Sequence, residues 1–165
     1  RTLLRLGKFS QFDPDKTYKQ TGVKIKGIIL DVDGTIAHNH AKILPENIKH
    51  LKNLLAKGIK IVCYSNMRWT NRYKNLPKTI KVLTNLPPKP SLQGFKIALK
   101  HLEISSKNTA MIGDSYITDG GAIRLGIAFI YVKPLKSRNK NLSEFIQNGL
   151  RNFFSYLAKF YSLFR

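Results

Sequence analysis

Two acidic residues stand two positions apart at the end of an apolar run, in "IILDVDGT", in a chain with nine acidic residues in all. A carboxylate at the end of a buried strand can attack phosphorus and form an aspartyl-phosphate, which makes Asp31 a candidate nucleophile. A second carboxylate can protonate the leaving oxygen and then activate water, which makes Asp33 a candidate general acid and base. A turn capped by aspartate is the simpler alternative for this segment alone.

A hard cation would be needed here, because clustered carboxylates repel both one another and an incoming phosphate. Mg²⁺ prefers one or two carboxylates together with water and phosphate oxygens. The segment "GDSYITD" supplies a further acid, Asp114. We expect the carboxylates of Asp31 and Asp114, with the carbonyl oxygen of Asp33, to bind Mg²⁺.

Hydroxyl, amide and ammonium groups can hold the outer oxygens of a phosphoryl group during transfer. Ser65 and Asn66 follow an apolar stretch in "IVCYSN", and Lys89 lies among prolines in "LPPKPS". We interpret all three as phosphate-binding residues. Each also has a structural alternative, since Ser-Asn after a strand commonly caps a helix and a lysine among prolines is commonly solvated.

Three more residues complete the predicted site. Backbone N–H groups at Gly34 can face a phosphoryl oxygen, and Thr35 can brace the same loop by hydrogen bonding. Asp119 lies five residues after Asp114 and is expected to support the site, either by orienting Lys89 or by accepting hydrogen bonds from metal-bound water.

Alternating apolar and amphipathic segments must position these residues. Strands are predicted over 23–30, 59–66, 81–84, 109–115 and 127–135, and helices over 44–58, 71–76, 92–102 and 118–126. Ser91 is expected to cap the third helix, and residues 1–24 are polar and mixed with a turn at "DPDKT". This alternation predicts an α/β fold with a doubly wound parallel sheet. Ligands of such sheets bind outside the carboxyl ends of the strands, which is where the candidate residues fall.

Composition narrows the class of protein. A length of 165 residues predicts one domain, with a core over about 23–135. The chain contains no run of 18 or more apolar residues, so no membrane span is predicted. The net charge of +20 favours polyanionic partners, although lysine usage of this kind can also be compositional drift. The lone Cys63, inside a predicted strand, is expected to pack in the core and fits a reducing compartment. We therefore expect an intracellular protein, in the cytoplasm or an organelle matrix.

Taken in order, "DVDGT", "YSN", "KP" and "GDSYITD" resemble the four motifs of the haloacid dehalogenase (HAD) superfamily of phosphotransferases. The resemblance covers about residues 23–135. Within the superfamily the chain is similar to the YqeG-type phosphatases of subfamily IIIA, which are themselves similar to phosphatidylglycerophosphate phosphatases. The resemblance implies that Asp31 is the nucleophile, Asp33 the acid and base, Ser65 and Lys89 the phosphoryl binders, and Asp114 a metal ligand. Gly34 departs from the YqeG type, which often has Asn there, and this leaves a more general superfamily phosphatase open.

Many members of this superfamily carry a cap domain over the active site, inserted after the first motif or between the second and third. Thirty-one residues separate Asp33 from Ser65, and 23 separate Ser65 from Lys89. Neither gap holds a domain of about 50 or more residues. We therefore expect a capless, open site, which favours a phosphate displayed on something large: a lipid headgroup, a protein or a nucleic-acid end.

The C-terminal sequence bears on that choice. Residues 142–164 predict a basic amphipathic helix with an aromatic stripe, and from Lys133 onward there are seven Lys or Arg against one Glu. Such a segment is typical of an anionic membrane surface, where each cation contributes roughly 1 kcal/mol. Packing of this helix on the sheet is the alternative.

Three functions remain open from the sequence. The first is an Mg²⁺-dependent phosphatase acting on a phospholipid headgroup, which the resemblance specifies as phosphatidylglycerophosphate, peripherally bound to the membrane. The second keeps this chemistry on a soluble phosphoester or a nucleic-acid end, although no nucleic-acid-binding motif is visible. The third is a lipid- or polyanion-binding protein with a vestigial site. His38 and His40 are interpreted as polar loop residues, whereas Trp69 and Tyr73, beside Arg68 and Arg72, either line the rim of the site or pack.

Overall fold

A single parallel sheet organises the molecule. A computed structural model describes residues 2–67 and 71–135. Within them six strands pair in the order β1-β6-β5-β2-β3-β4, and every pairing is parallel. The strands are β1 (Thr2–Leu6), β2 (Gly27–Leu30), β3 (Lys60–Tyr64), β4 (Lys81–Leu83), β5 (Thr109–Gly113) and β6 (Ala128–Val132). The predicted α/β fold is confirmed.

Helices cover both faces of this sheet. The α-helices are α1 (Pro14–Thr21), α2 (Pro45–Ala56) and α3 (Leu92–Leu102), and short 3₁₀ helices cover Phe9–Gln11, Asn71–Tyr73, Ser106–Asn108 and Gly120–Leu125. Successive side chains of a strand point to opposite faces. Accordingly, Ile28 and Leu30 pack in the apolar cluster that contains Leu51 of α2, whereas Ile29 packs in the cluster that contains Phe95 of α3. The sheet is therefore buried on both faces, as in other doubly wound α/β folds.

The N-terminal region differs from the prediction. Residues 1–24 were expected to be mixed, with a turn at "DPDKT", but the structure has an edge strand, β1, and a helix, α1. Asp13 is the N-cap of α1 and accepts hydrogen bonds from the N–H groups of Asp15 and Lys16, both at 2.9 Å. Gly22 ends the helix at φ +72°. An aspartate followed by proline can begin either a turn or a helix, and here the helix forms with Pro14 and Thr17 buried.

Several other elements are shorter than predicted. The strand expected over 23–30 begins at Gly27, and the segments at 71–76 and 118–126 form 3₁₀ helices, over Asn71–Tyr73 and Gly120–Leu125, instead of α-helices. Ser91 occupies the N-cap position of α3, but its side chain makes no capping hydrogen bond. Paired glycines shorten the last of these helices, because glycine carries the largest entropy cost in a helix.

Parallel strands end at one common edge, and this edge carries the predicted site. Asp31 follows β2, Ser65 follows β3 and Asp114 follows β5, while Lys89 lies in the loop after β4. In the part of the chain described here, no helix combines the length and hydropathy of a membrane span. The helix predicted over 142–164 lies outside the described residues.

Candidate active site

Hydrogen bonds hold both the backbone and the carboxylate of Asp31 in place. Its N–H donates to Ile112 O of the neighbouring strand β5 at 2.9 Å, which holds the residue at the end of the sheet. The hydroxyl of Thr35 donates to Asp31 Oδ2 at 3.2 Å, and Lys89 Nζ donates to Oδ1 at 2.5 Å. The side chain is almost buried, so few of its orientations remain. Thr35 was predicted to brace the loop, and in the structure it braces the candidate nucleophile itself.

Lys89 bridges two carboxylates. Its ammonium lies 2.5 Å from Asp31 Oδ1 and 2.6 Å from Asp119 Oδ1, and the lysine side chain is 3% exposed. The peptide bond between Lys89 and Pro90 is cis. The amide of Asn66 holds the lysine backbone, because Lys89 N–H donates to Asn66 Oδ1 at 2.8 Å and Asn66 Nδ2 donates to Lys89 O at 3.4 Å. Lys89 is thereby aimed inward instead of toward solvent, and Asp119 has the orienting contact that was one of its two predicted roles.

Burial and ion pairing have opposite effects on the pKa values of Lys89 and Asp119. Burial alone would lower the pKa of Lys89, but the carboxylates of Asp119 and Asp31 more than offset it, so the pKa is raised and the ammonium stays charged. Burial raises the pKa of Asp119 to about 6, because one ammonium shared with Asp31 offsets only part of the cost of a buried carboxylate. The cluster is therefore short of positive charge.

A shortage of positive charge among buried carboxylates favours the binding of a cation. One carboxylate oxygen from each of Asp31, Asp114 and Asp119 lies within 4.8 Å of the others, and all three residues are buried. The donor set of hard carboxylate oxygens fits a divalent metal such as Mg²⁺. Asp31 and Asp114 are the residues that would hold it, since Asp119 is committed to Lys89 and to the N–H of Ser115 at 3.1 Å.

Gly34 allows the close approach of Asp114. The residue has φ +78°, and a Cβ atom placed on it would lie 2.1 Å from Asp114 Oδ2. Its N–H, which was expected to be available to a phosphoryl oxygen, donates instead to Ala37 O at 2.8 Å. Gly34 therefore serves the site through the space that it leaves open and not through its N–H group.

Asp33 stands apart from the three clustered acids. Its Oδ1 accepts a hydrogen bond from Arg72 Nη1 at 2.7 Å and another from the N–H of His40 at 3.1 Å. The Asp33 side chain is 24% exposed, in contrast to the 10% of Asp31 and 1% of Asp119. The carboxylate thus reaches solvent at the mouth of the site, where a leaving group would depart.

Ser65 lines the same cleft as Asp31 and Asp33. It is buried, and its Oγ accepts a hydrogen bond from the N–H of Met67 at 3.1 Å. The site is an open cleft of about 340 Å³. Its walls are formed by Asp31, Asp33, Asn39, His40, Ser65, Asn66, Met67, Lys89, Asp114, Ser115 and Thr118.

Two contributors were not recognised from the sequence. Arg72 was given no role from the sequence, and the structure buries it against Asp33. Of the two aromatic residues that were expected to line the rim or to pack, Tyr73 packs in the core, and Trp69 lies outside the described residues, as does Arg68. Gly113 ends β5 where a Cβ atom would lie 2.2 Å from Asp119 Oδ2. A glycine that directly precedes a motif aspartate is a readable sign of such close approach, whereas no local pattern gives the partner of Arg72.

Two family models match the chain. The model described as haloacid dehalogenase-like hydrolase matches residues 28–75, and the HAD-hydrolase-like model matches residues 87–153. The chain is also similar to the probable phosphatase YqeG of Bacillus subtilis, with 27% identity over 138 residues, covering 82% of this chain and 80% of that protein. The motif regions described above fall within these matches.

Solved structures share the fold. NagD from Escherichia coli K-12 superposes with a TM-score of 0.58 at 14% identity, covering 68% of this chain and 90% of that one. The cobalt-bound deoxy-D-mannose-octulosonate 8-phosphate phosphatase from Haemophilus influenzae superposes with a TM-score of 0.54 at 20% identity, covering 66% and 68%. At these identities the similarity establishes the architecture of the sheet and its flanking helices.

Proposed function

Since the chain is a phosphatase with a haloacid dehalogenase-like fold, we propose that it is an Mg²⁺-dependent phosphomonoesterase that works through an aspartyl-phosphate on Asp31. We further propose that its substrate is a phospholipid headgroup, phosphatidylglycerophosphate, which it converts to phosphatidylglycerol. The observation that carries the chemistry is the contact of Asp31 with Lys89 inside an open cleft that also holds Asp114.

The first half of the reaction forms the intermediate. A carboxylate oxygen of Asp31 attacks phosphorus, and the bond from phosphorus to the ester oxygen breaks. Asp33 gives a proton to that oxygen, so the product leaves as a neutral alcohol. Lys89 and the Ser65 hydroxyl hold the outer phosphoryl oxygens, where charge accumulates.

The second half regenerates the enzyme. Asp33, now a carboxylate, takes a proton from a water molecule that attacks the phosphorus of the aspartyl-phosphate. The bond from Asp31 to phosphorus breaks, and inorganic phosphate leaves. Asp119 keeps Lys89 in place through both halves, because their contact at 2.6 Å does not depend on the substrate.

The residues that would hold Mg²⁺ are Asp31 and Asp114, with the carbonyl oxygen of Asp33. When bound, such a cation supplies positive charge that screens the nucleophile and the phosphate from each other. Two buried carboxylates and one ammonium leave Asp31 and Asp119 short of one positive charge, which supports this assignment.

The openness of the cleft supports a bulky substrate. Between Asp33 and Ser65 the chain forms one helix and one strand, and the described residues between Ser65 and Lys89 form a 3₁₀ helix and a three-residue strand. No inserted domain covers the cleft in these segments, so the substrate itself must help to exclude water. The net charge of +20 favours an anionic membrane surface as the place where this occurs.

The exit of the chain from the fold supports the same proposal. Leu135 N–H donates to Gly34 O at 2.7 Å, so the described chain ends beside the catalytic loop. The basic and aromatic sequence of residues 136–165 follows directly from this point. A lipid-binding segment starting there would bring headgroups to the cleft, and the proposal of peripheral membrane binding rests on this placement.

The test measures phosphate release from phosphatidylglycerophosphate in mixed micelles, from glycerol 3-phosphate and from an oligonucleotide with a terminal phosphate, each with Mg²⁺ or with EDTA. We expect turnover of the lipid that requires Mg²⁺ and falls at least about 10³-fold in Asp31→Asn. Asp15→Asn, an exposed aspartate far from the cleft in sequence, is the matched control and should retain turnover.

Other outcomes select the alternatives. Rapid turnover of soluble esters without turnover of the lipid would reject the headgroup and leave a soluble phosphatase. Preference for the oligonucleotide would assign a nucleic-acid end as substrate. Sedimentation with anionic liposomes, with no phosphate released from any substrate, would indicate a binding protein with a vestigial site.

A further inference from the structure

Arg72 is buried in a way that its role in the fold does not explain. It lies in the 3₁₀ helix Asn71–Tyr73 after β3, and its side chain is 0% exposed. Nη1 donates to Asp33 Oδ1 at 2.7 Å and lies 3.5 Å from Met67 Sδ. The guanidinium also lies 5.6 Å from the centre of the Tyr73 ring.

The remaining nitrogens of this guanidinium are costly. Nε and Nη2 of Arg72 are buried and have no hydrogen-bond partner within residues 2–67 and 71–135. A buried ion pair seldom stabilises more than apolar residues of the same volume, and unpaired N–H groups add a desolvation cost. An apolar side chain would therefore serve the fold at least as well, and the arginine needs a different explanation.

The contact with Asp33 supplies that explanation. Two donors converge on one oxygen of this carboxyl group, Nη1 of Arg72 at 2.7 Å and the N–H of His40 at 3.1 Å. An oxygen that accepts two such bonds has no room for a proton of its own, because the donors occupy its lone pairs. Any proton that Asp33 carries must therefore lie on Oδ2, which makes no hydrogen bond within the described residues and belongs to a side chain that lines the cleft.

The backbone of His40 is strained at the position where its N–H donates to Asp33 Oδ1. It has φ +58°, a left-handed conformation that residues other than glycine adopt at a cost. This conformation goes with its N–H pointing at Asp33 Oδ1. The loop and the buried arginine thus act on the same oxygen from two sides.

We propose that Arg72 is the positioning residue for proton transfer by Asp33, which fixes Oδ1 so that Oδ2 faces the leaving oxygen of the phosphoester. The proposal rests on the function proposed above. In the first half-reaction the proton on Oδ2 passes to the leaving oxygen as the bond from phosphorus to that oxygen breaks. In the second, Oδ2 takes a proton from the attacking water. Oδ1 remains an acceptor for Arg72 in both protonation states.

The test uses two esters that share a phosphoryl group and differ in the leaving group. An alkyl phosphate such as glycerol phosphate needs a proton on its leaving oxygen, whereas 2,4-dinitrophenyl phosphate does not. In Arg72→Met we expect kcat/KM for the alkyl ester to fall on the order of 10²-fold and kcat/KM for the dinitrophenyl ester to change by less than about threefold. The ratio kcat/KM is compared because it reports only the steps up to departure of the leaving group, whereas kcat also includes hydrolysis of the aspartyl-phosphate, which needs Asp33 with either ester. Arg72→Lys, which keeps a cationic donor, should recover part of the loss.

Two further variants make the result decisive. Arg124→Met removes an exposed arginine and should leave both rates unchanged. Asp33→Asn should show the same selectivity for leaving groups, and Arg72→Met should add little further loss in that background, because the two residues act as one unit.

Equal losses of kcat/KM on both esters, or no loss on either, would overturn the role of Arg72. If Arg72→Met does not fold, Arg72→Lys and Arg72→Gln must show the selective loss, and an unselective loss in them is equally fatal. Failure of the proposed function gives a different result, because the wild type would then release no phosphate or Asp31→Asn would retain turnover.

Discussion

Gly34 illustrates how a residue without a side chain shapes a charged site. Two independent features require glycine at this position. The residue has φ +78°, and a Cβ atom on it would lie 2.1 Å from Asp114 Oδ2. The first feature, the positive φ, is conformational and also occurs at glycines in other turns. The second is steric and is specific to Gly34, because the carboxylate of Asp114 lies against this residue.

We predict that Gly34→Ala displaces Asp114 and weakens the apparent affinity for Mg²⁺ by at least about tenfold, with a matching loss of activity at low Mg²⁺. The measurement is the Mg²⁺ dependence of phosphate release. Gly22→Ala is the matched control, because Gly22 has φ +72° but no atom within 4 Å of a Cβ atom. It should lose about 1 kcal/mol of stability and no metal affinity. Equal effects on metal affinity in both variants would contradict the steric explanation.

At the scale of residues, the sequence was informative wherever chemistry is local. Asp31, Ser65, Lys89 and Asp114 come after β2, β3, β4 and β5 in turn. The structure brings them to one cleft, because parallel strands end at one edge of the sheet. The partner of Arg72 was not predictable, because 39 positions separate it from Asp33 and no periodic pattern marks the contact. The N–H of Gly34 was assigned wrongly for a related reason, since its acceptor depends on how the loop closes.

Helix α2 contributes a titratable group to the interior. His50 lies at 5.1 Å from the ring of Phe9 in an edge-to-face arrangement. Burial lowers the pKa of His50, and a backbone hydrogen bond to Phe12 and the charge of Asp13 oppose it only in part. Folding therefore favours neutral His50 over protonated His50 at the contact with Phe9.

We predict that this histidine makes the fold sensitive to mild acid. Because its pKa is lower in the folded than in the unfolded state, the unfolded chain binds more protons near pH 6, and the free energy of unfolding falls as the pH is lowered through the ordinary range of histidine. The measurement is urea unfolding between pH 7.5 and 5.5. The slope with pH should be shallower in His50→Gln, whereas the exposed His101→Gln should keep the wild-type slope. Identical slopes in all three proteins would refute the prediction.

At the scale of elements, strands and long helices were predictable and short or ambiguous segments were not. The apolar strands β2, β3, β5 and β6 and the helices α2 and α3 lie where periodicity and proline or glycine punctuation indicate. Helix α1 was taken for a turn, because an aspartate followed by proline begins both structures and the next residues carry little apolar pattern. Strand β1 has few residues, and its partner was not visible in the local sequence.

The whole molecule depends on β1 more than its short length suggests. It pairs with β6 in parallel, from Thr2 opposite Phe129 to Leu6 opposite Val132. Leu3, Leu4 and Leu6 pack against the larger of the two apolar clusters. The strand therefore covers an edge of the sheet and part of the core together.

We predict that removal of residues 1–7 lowers the midpoint of urea unfolding and accelerates amide hydrogen exchange in β6. An uncovered edge strand loses hydrogen-bond partners and opens more easily. Exchange in β3, which lies between β2 and β4, is the internal control and should change only by the amount of the global loss in stability. Unchanged exchange in β6 would show that β1 contributes little to the sheet.

The pairing of β1 with β6 also sets the order in which the molecule can assemble. Synthesis produces β1 before β6, with roughly 125 residues of chain between the paired positions. At about 5–20 residues per second, the first strand waits on the order of ten seconds on the ribosome for its partner. During that interval the leucines of β1 lack the contacts that they make in the folded core, and a pause in translation just before β6 would lengthen their exposure.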